Sequence, residues 1–581
     1  MKARLALGVA VLLLAGGCAS IPGDTAPQAA DLQGGKVSPG IAEPPRNEDP
    51  LSIVRGFIDH NGDATNQHAV ARGYLAESAQ RTWNLGSAPS RVLIIDDTFS
   101  TAFGDETKVD ANVDDVQLGA ALVGTVDSDG AFTPATSKQS QSFELSFQVQ
   151  RGKDGQWRIL NPPDDLVVGQ ADFDSHYRQV PIYFFDPGWS VLVPDERYVV
   201  SDLVGQPARI VQLLLDGPSA SLRGAVRDAI PAGASLKTNV TVQSDGLIYI
   251  NFKGMTDLPS NTKQLMIAQL LESLQNTPSG SVEVDAENVP LIPGHRMWTL
   301  GDLPSYTPYP GPNATSGLVV ARGRIYNLNN GTPIPGPAGN GAYHVLTAAE
   351  SLDGQQLATV TESTTDDEEL RIGGIKNSQT PVKDLVGNTF TRPTWEPGDS
   401  AGDPSRAVWT VVDGQAYRVQ HTAQGSWAPS AVEDSALQPY GPITDLRLSP
   451  DGVRVAVAAG GHLLVGTVVV DQSSVSIKQV QLIRNPSLAD VTHVDWNGQD
   501  LMVVATNKST TPVQSVSIDG ERIETYSQAN LTSQVTALAA GPNGLVLAAD
   551  QAGIWSTTDV SEVWRLIQHH QPADAIPFYP G

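Results

Sequence analysis

Residues 449–458 read SPDGVRVAVA, and residues 351–360 read SLDGQQLATV; each stretch joins a tight turn to an apolar run. Weaker copies occur at Trp395 (TWEPGD), Asp495 (DWNGQDLMVV) and Ala540 (AGPNGLVLAA). Successive copies lie roughly 45 residues apart, and each interval holds several short β-type runs and turn signals. This spacing predicts the blades of an all-β propeller over residues 318–581.

The number of blades is left open by the sequence. Five copies of the repeat are visible, and residues 318–330 (LVVARGRIYNLNN) either belong to one more blade or complete the ring. A β-sandwich whose turns are alike by chance is the alternative fold. The S-x-D-G turn resembles the turns of TolB and quinoprotein propellers, and those include binding proteins as well as enzymes.

Residues 177–300 have the pattern of an α+β domain. Two apolar strands are expected at 180–185 (VPIYFF) and 192–199 (LVPDERYV), followed by a helix from Pro207 that Asp216-Gly217-Pro218 ends. Ser219 is expected to cap a second helix, in which Leu222, Val226 and Ala229 recur at helical spacing. Further on, Asp245-Gly246 turns a hairpin, and Asn261 with Gln264 is expected to form a capping box for a third helix.

This second region resembles the GerMN domain, which is named for spore-germination proteins. The matching pieces, in family order, are YFF…LVPDERYV, LLLDGPS, AIPAG, GLIYINF and IAQLLESL. Each piece has a structural interpretation as a turn, a helix stop or a core segment. The resemblance therefore implies a fold and brings no nucleophile, base or ligand set.

Residues 49–170 predict a further α+β domain. Asp49 is a good N-cap, Pro50 suits the first helical position, and Val54 and Phe57 share a face of the helix with Leu51 and Ile58. Alternating apolar residues then indicate an antiparallel meander. The stretch DGQWRILNPP (154–163) resembles the last hairpin of domains related to nuclear transport factor 2, which implies a cone-shaped scaffold.

The start of the chain is typical of an exported lipoprotein. Lys2 and Arg4 precede an apolar run that is too short to span a membrane, and Gly16 and Gly17 stand directly before Cys18. This resembles the bacterial lipobox, although that pattern prefers Leu where Ala15 stands. The resemblance implies a signal peptide at 1–17 and diacylglycerol thioether and N-acyl lipidation at Cys18. The alternative is an ordinary secretory signal with an incidental cysteine.

Two segments are predicted to connect folded parts. Residues 18–48 are rich in Pro, Gly, Ala and polar residues and are expected to be a flexible tether. Residues 301–317 contain four prolines and are expected to be a fairly extended linker, at which limited proteolysis should cut. The only cysteine of the 581 residues is Cys18, which excludes disulfides within the chain.

Charge and motifs exclude several classes of function. With 63 acidic against 37 basic residues and a net charge of −26, the protein is not expected to bind nucleic acid. Motifs of hydrolases, P-loop proteins and zinc proteases are missing from the sequence, so no catalytic, cofactor or metal site is predicted. Three weaker features are interpreted as structural: the acidic run 366–369, the turn at Asp127, Asp129 and Gly130, and the pair His569-His570.

The order of tether, α+β domain, GerMN domain, Pro-rich linker and propeller resembles the LpqB lipoproteins of actinobacteria over the whole chain. That resemblance implies a non-catalytic accessory protein on the extracytoplasmic face of the cell membrane. Its expected partner is the extracytoplasmic domain of a sensor histidine kinase in MtrA–MtrB type two-component signalling, during envelope growth and division. The alternatives are a glycan-active envelope enzyme and a peptidoglycan-binding module that uses the propeller face.

Overall fold

The structure is a computed structural model that describes most of residues 43–581. The residues outside the description are 1–42, 65–66, 84–90, 105–111, 136–138, 202–204, 278–279, 308–316, 364–366, 399–406, 472–473, 532–533 and 570–573. The signal peptide, Cys18 and nearly all of the tether therefore lie outside the described residues, as does most of the Pro-rich linker.

In its described residues, the N-terminal domain packs four helices against two sheets. Its helices are α1 (Pro50–Asp59), α2 (Ala69–Gly73), α3 (Glu77–Thr82) and α4 (Gln170–His176). Its strands are β1 (Arg91–Ile95), β2 (Ser100–Phe103), β3 (Val113–Ala120), β4 (Leu122–Asp127), β5 (Phe132–Pro134), β6 (Phe143–Arg151), β7 (Trp157–Ile159) and β8 (Leu166–Gly169).

The start of α1 is as predicted, because the Asp49 carboxylate accepts hydrogen bonds from the N–H groups of Leu51 and Ser52 and Pro50 begins the helix. One sheet has the order β5-β4-β1-β8 and the other β2-β3-β6-β7. Strands β1 to β7 pair antiparallel within these two sheets, whereas β8, a strand that the prediction did not include, pairs parallel with β1. All four residues of β8 are buried, as suits a parallel strand that is covered on both faces.

The middle domain begins with a long hairpin. Its strands and helices are β9 (Tyr177–Phe185), β10 (Leu192–Val200), α5 (Gln206–Asp216), β11 (Leu236–Val242), β12 (Ile248–Phe252), α6 (Ser260–Leu274), β13 (Val282–Ala286), β14 (Val289–Pro290) and β15 (Met297–Trp298). Strands β11 to β15 form one sheet; α5 packs beside β11, and α6 packs against β9 and α5. The hairpin turn at Asp245-Gly246 is confirmed, with Gly246 at a φ of 90°.

Two details of the predicted helices are wrong. Residues 219–226 form successive turns instead of a helix, since Gly224 has a φ of 86° and the segment lies against the propeller. Helix α6 begins at Ser260 after Pro259, so Asn261 lies inside it and no side chain caps it. Local spacing could not show that a neighbouring domain packs against residues 219–226 and donates a hydrogen bond to the carbonyl of Ser221.

The C-terminal region is a propeller, as predicted. Its elements are β16 (Leu318–Ala321), β17 (Arg324–Asn327), α7 (Pro337–Asn340), β18 (Val345–Glu350), β19 (Gln356–Glu362), β20 (Glu368–Gly374), β21 (Thr380–Gly387), β22 (Thr394–Trp395), β23 (Ala407–Val412), β24 (Gln415–His421), β25 (Trp427–Ala431), β26 (Ile443–Leu448), β27 (Arg454–Ala459), β28 (His462–Asp471), β29 (Ser474–Ile483), β30 (Val491–Trp496), β31 (Leu501–Thr506), β32 (Val513–Ser517), β33 (Ile523–Thr525), β34 (Ala537–Ala540), β35 (Val546–Asp550), β36 (Gly553–Thr557), β37 (Arg565–His569) and β38 (Ile576–Phe578).

Within the described residues the propeller has six sheets. Strands β18 to β37 make five sheets of four strands in sequence order, and β17, β16 and β38 make a sixth of three strands. The first strands of successive sheets contact one another, and β38 lies between β34 and β18. The C-terminal strand therefore closes the ring by pairing with β16 near the start of the propeller.

The repeat that predicts the propeller occupies one equivalent position in five blades. Each copy joins the first strand of a sheet to the second, as at Ser351 between β18 and β19 and at Ser449 between β26 and β27. In both turns the serine hydroxyl donates to the aspartate two residues later, over 2.6 Å at Ser351 and 2.5 Å at Ser449. The β-sandwich alternative is excluded by the closed ring of sheets.

Candidate functional site

Strand β10 of the middle domain lies where all three domains meet. Eight of its nine residues are buried, although the sequence LVPDERYVV includes three charged side chains. Alternate residues of a strand point to opposite faces. One face of β10 therefore holds Asp195 and Arg197, and the other holds Glu196 and Tyr198.

Arg197 binds the middle domain to the N-terminal domain, and Asp195 holds its guanidinium in place. Arg197 has no exposed side-chain surface; its Nη2 donates to Asp195 over 2.7 Å and its Nη1 to the carbonyl of Asp129 over 2.7 Å. Asp195 also accepts from the N–H of Ser219. Tyr198 adds a backbone bond, from its N–H to the carbonyl of Gly130 over 2.7 Å. The Asp129-Gly130 turn is thus a docking point for the middle domain.

Glu196 and Tyr198 face the propeller. The Tyr198 hydroxyl lies 2.9 Å from a carboxylate oxygen of Asp519 and 3.3 Å from one of Glu521. Arg454, at the start of β27, donates to the carbonyl of Pro194 on β10. The amide of Gln499 donates to the carbonyl of Leu192 over 3.0 Å. These bonds fix β10 against two neighbouring blades, β26–β29 and β30–β33.

Apolar contacts complete the junction between the middle domain and the propeller. Val193, Leu222, Ala225 and Val453 form a small buried cluster of their own. The hydroxyl of Thr467 also donates to the carbonyl of Ser221 over 2.6 Å. The turns at residues 219–226 thus lie on the propeller instead of forming the predicted helix.

The junction encloses a cavity of about 50 Å³, lined by residues of all three domains, among them Phe132, Glu196, Arg454 and Asp519. Burial holds the pKa of Glu196 well above its usual range, with Asp500 and Asp519 adding to the rise and Arg454 opposing it. Burial also raises the pKa of Glu521 to about 7, with Asp519 adding to the rise. The junction therefore carries more acidic groups than its arginines balance.

The second buried polar group lies at the inner strands of the propeller. Arg392 donates to Asp495 over 2.6 Å, and Arg447 pairs with Asp445 over 3.0 Å. Both carboxylates also accept backbone N–H groups, from Ala540 and Val494 respectively. Burial lowers the pKa of Arg447 to about 10 and lowers the pKa of His493 as well. These hydrogen bonds and ion pairs connect β26, β30 and β34 around the propeller axis.

Comparison with known proteins assigns all three regions. Residues 43–174 match the family model described as the N-terminal domain of lipoprotein LpqB, and residues 319–580 match the LpqB β-propeller domain. Residues 181–292 match a model described as sporulation and spore germination. Lipoprotein LpqB of Rhodococcus jostii is 29% identical over 609 residues, covering 99% of this chain and 97% of the relative. The chain belongs to the LpqB lipoprotein family.

A further relative and two solved structures are similar to all or part of the chain. Lipoprotein LpqB of Mycobacterium tuberculosis is 27% identical, covering 97% of each chain. The first GerMN domain of the Bacillus subtilis sporulation protein GerM is 16% identical, covering 20% of this chain and 91% of that one, with a TM-score of 0.18. A functionally unknown protein from Desulfotomaculum acetoxidans is 10% identical, covering 41% and 76%, with a TM-score of 0.30.

The lipidation site predicted for this LpqB family member, Cys18, lies outside the described residues, and its lipidation stays a prediction. The relatives are named lipoproteins, and the matched families carry no description of an enzyme. Across the residues that the structure describes, we find no helix with the length and apolar character needed to cross a membrane.

The other residues singled out in the sequence have structural positions. The acidic run leads into β20, whose first two residues are Glu368 and Glu369; Asp366 is outside the description, and Glu369 pairs with Arg371 over 2.6 Å. The side chain of Asp127 accepts the N–H groups of Asp129 and Ala131 within its own turn. His569 ends β37 while His570 is outside the description. Among the described residues no group of acidic, histidine or cysteine side chains has a geometry that would hold a metal.

Sequence reasoning missed the junction altogether. One signal was available in the sequence PDER (194–197), which places three charged residues within an otherwise apolar strand. A strand that is buried on both faces can hold charged side chains only where other segments supply partners for them. A second was a third S-x-D-G turn at Ser517–Gly520 (SIDG), outside the repeat's usual position. In this turn the Ser517 hydroxyl donates to the Asp519 carboxylate over 2.7 Å, and the same carboxylate accepts a hydrogen bond from the Tyr198 hydroxyl.

Proposed function

We propose that this LpqB family protein is anchored by lipid on Cys18 at the extracytoplasmic face of the cell membrane. There it acts as a non-catalytic accessory that binds the outer domain of a sensor histidine kinase and modulates signalling of the MtrA–MtrB type in envelope growth and division. The observation that carries the proposal is the architecture of the family over the whole chain, with its three domains joined through β10.

A joined body supports binding better than separate domains would. When domains are held in one arrangement, a partner that contacts two of them loses less conformational freedom on binding. The bonds from β10 to Asp129, Gly130, Asp519 and Arg454 supply this arrangement. The acidic surface, with a net charge of −26, favours a partner that presents basic groups.

The lipid is expected to contribute by confinement. Two partners held on one membrane meet at a raised effective concentration, so a weak contact between them suffices. One acyl chain binds a membrane only marginally, whereas the several chains of a bacterial lipoprotein give stable attachment. The soluble form should therefore bind the kinase weakly and complement a deletion poorly.

The decisive experiment measures kinase autophosphorylation in proteoliposomes with and without the full-length lipoprotein. We expect the native protein to change the rate, and the Cys18→Ala variant to lose most of that change and to lose palmitate labelling. Adding salt should weaken the contact, because it screens exposed charges. An unchanged kinase rate, together with no binding of the kinase outer domain at low salt, would refute the signalling role.

The second candidate is a glycan-active envelope enzyme, favoured by one observation: two carboxylates and a histidine lie on inner strands of the propeller. The bonds described above oppose this candidate, because Asp445 and Asp495 are already engaged. Each carboxylate pairs with an arginine side chain and accepts a hydrogen bond from a backbone N–H. Incubating native protein and the Asp495→Asn variant with peptidoglycan fragments separates the two candidates. Turnover by the native protein that the variant loses would establish the enzyme.

A further inference from the structure

A groove lies between the N-terminal domain and the edge of the propeller blade β26–β29. Its volume is about 570 Å³, far larger than the cavity at the junction. Both domains contribute apolar walls, with Leu122 and Val123 of β4 on one side and Leu482, Ile483 and Leu488 of the propeller on the other. The groove is therefore an apolar surface that two domains share.

The groove continues along one end of the N-terminal domain. A second depression, of about 330 Å³, shares the lining residues Asp96, Ala121 and Gln141 with it and extends to Glu144 at the start of β6. Glu144 is exposed in this depression, and Asp490 is exposed in the main groove. Small-molecule pockets enclose most of their ligand, whereas an elongated groove with exposed residues in both parts fits a segment of polypeptide.

The charged lining of the groove is mainly acidic. Its carboxylates are Asp96, Glu144 and Asp490, and Arg484 is the arginine that lines it. The Asp96 carboxylate already accepts a backbone N–H over 2.7 Å, and Lys508 donates to a backbone carbonyl at the rim. The side chains of Glu144 and Asp490 have no hydrogen bond or ion pair with another described residue. These two carboxylates can therefore pair with basic groups of a partner.

The position of the groove leaves it accessible beside the predicted tether. Asn47, near the start of the described chain, donates from its N–H to the side chain of Gln156 beyond the far end of β6. Strand β6 has nine residues and so spans about 27 Å from Phe143, which lines the depression, to that far end. A partner in the groove therefore does not meet the segment that leads to Cys18.

We propose that this groove is the surface on which the outer domain of the sensor kinase docks, through a segment of aliphatic side chains flanked by basic residues. This inference rests on the function proposed above and names the surface that performs it. The aliphatic side chains lie against Leu122, Val123 and Ile483, and the basic residues pair with Glu144 and Asp490. Because the segment contacts two domains, its docking depends on the arrangement that β10 holds.

Binding of the full-length lipoprotein to the full-length kinase in one detergent tests the surface. Ala489→Arg places a bulky cation at a half-buried position of the groove and should weaken binding by about ten-fold or more, since it fills the groove and repels a basic segment. Val386→Arg is the matched control, at a valine that is 54% exposed on β21 of another blade, and should leave binding unchanged. Equal melting temperatures of the two variants confirm that both are folded.

The outcomes separate the surface from the function. Undiminished binding by Ala489→Arg, or equal losses in both variants, overturns the groove while kinase binding stands. No binding by the native protein refutes the proposed function, and the groove with it. Sedimentation of the lipoprotein alone is measured in parallel. Self-association that Ala489→Arg abolishes would assign the groove to a second copy of the chain and overturn the proposal.

A milder substitution tests the charge pairing. Asp490 has a φ of 60°, a conformation that asparagine also adopts readily, so Asp490→Asn keeps the local fold. It should weaken binding by about two- to five-fold and reduce the dependence of binding on salt. Asp384→Asn is the control, at an exposed aspartate of β21 with a φ of 63°. The same affinity and salt dependence in Asp490→Asn and native protein would overturn the pairing of basic residues in the groove.

Discussion

At the scale of single residues, the protein depends on charges that are buried in pairs. Arg197 is fully buried, and its guanidinium reaches Asp195, the carbonyl of Asp129 and the carbonyl of Gly217. Taking an ion out of water costs several kcal/mol unless partners replace the lost hydration. Arg197 has such partners on two domains, so its charge serves to orient one domain against the other.

Replacing Arg197 by Met should destabilise the protein by about 3–5 kcal/mol, because Asp195 would stay buried without its ion-pair partner. Urea denaturation followed by fluorescence measures the loss. The control is Arg223→Met, at an exposed arginine in the same domain, for which we expect a change within about 0.5 kcal/mol. A loss for Arg197→Met as small as the control's would mean that the ion pair contributes little to the folded state.

At the scale of elements, the last strand decides whether the propeller is a closed ring. Strand β38 pairs with β16 through Val320, Val319 and Leu318, which joins the two ends of the propeller. This pairing places the C-terminal strand in the same sheet as β16 and so joins the first and last parts of the ring. Phe578 anchors this strand, since it is 1% exposed and packs with Leu318, Val320 and Leu357.

Phe578→Ala should therefore destabilise the propeller by about 3–5 kcal/mol through loss of buried surface and the cavity left behind. Thermal unfolding monitored by circular dichroism tests this. Phe103→Ala is the control, because Phe103 is 37% exposed on an N-terminal strand and should cost far less. If the two variants unfolded at the same temperature, closure by β38 would not limit stability.

At the scale of the whole molecule, the middle domain acts as the connection between its neighbours. The core of the N-terminal domain includes Tyr177 and Tyr198 of the middle domain, and the propeller shares the cluster around Val193 and Leu222. The covalent linker at 301–317 is therefore only one of the connections between the middle domain and the propeller.

Cleavage of the linker should leave the two parts associated. A protease site placed between residues 308 and 316 should be cut, and the fragments should then elute together on size exclusion because β10 and residues 219–226 still bind the propeller. The double variant Arg454→Ala with Tyr198→Phe removes several of these bonds and should let the cut fragments separate. Separation of the native fragments would contradict the interface.

The acidic junction should make docking of the domains depend on pH. Burial raises the pKa of Glu521 from 4.5 to about 7, so the docked state binds this proton more tightly than the undocked state does. Below about pH 4.5 the Glu521 carboxyl is protonated in both states. As the pH rises through about 7, ionisation of this carboxyl destabilises the docked state relative to the undocked state. Stability should fall over this range.

Glu521→Gln should flatten that dependence and raise the melting temperature at about pH 8, since its amide cannot ionise. Glu350 and Asp228, whose pKa values burial raises to about 7 and about 6, titrate in the same range. The measurement is therefore the difference between variant and native melting temperatures from about pH 5 to about pH 8. A constant difference would exclude Glu521 as a source of the pH dependence.

Most of the architecture could be read from the sequence because it depends on local patterns. The turn of Ser449 and Asp451 recurs at the same place at Ser351 and Asp353, and the Asp49-Pro50 cap begins α1 as expected. The apolar runs at 180–185 and 192–199 predicted two strands, and the structure pairs these as β9 and β10. These features follow from backbone geometry and side-chain spacing within a few residues, which every sequence displays directly.

The tertiary structure alone decided what joins the domains. Partners such as Arg197 with Asp129, Tyr198 with Asp519 and β38 with β16 lie far apart along the chain, so no local pattern relates them. For the same reason the helix expected at 219–226 gave way to turns that pack on the propeller. Burial of a charge becomes favourable only when a distant segment supplies its partner, and which segment does so is fixed by the packing of whole domains.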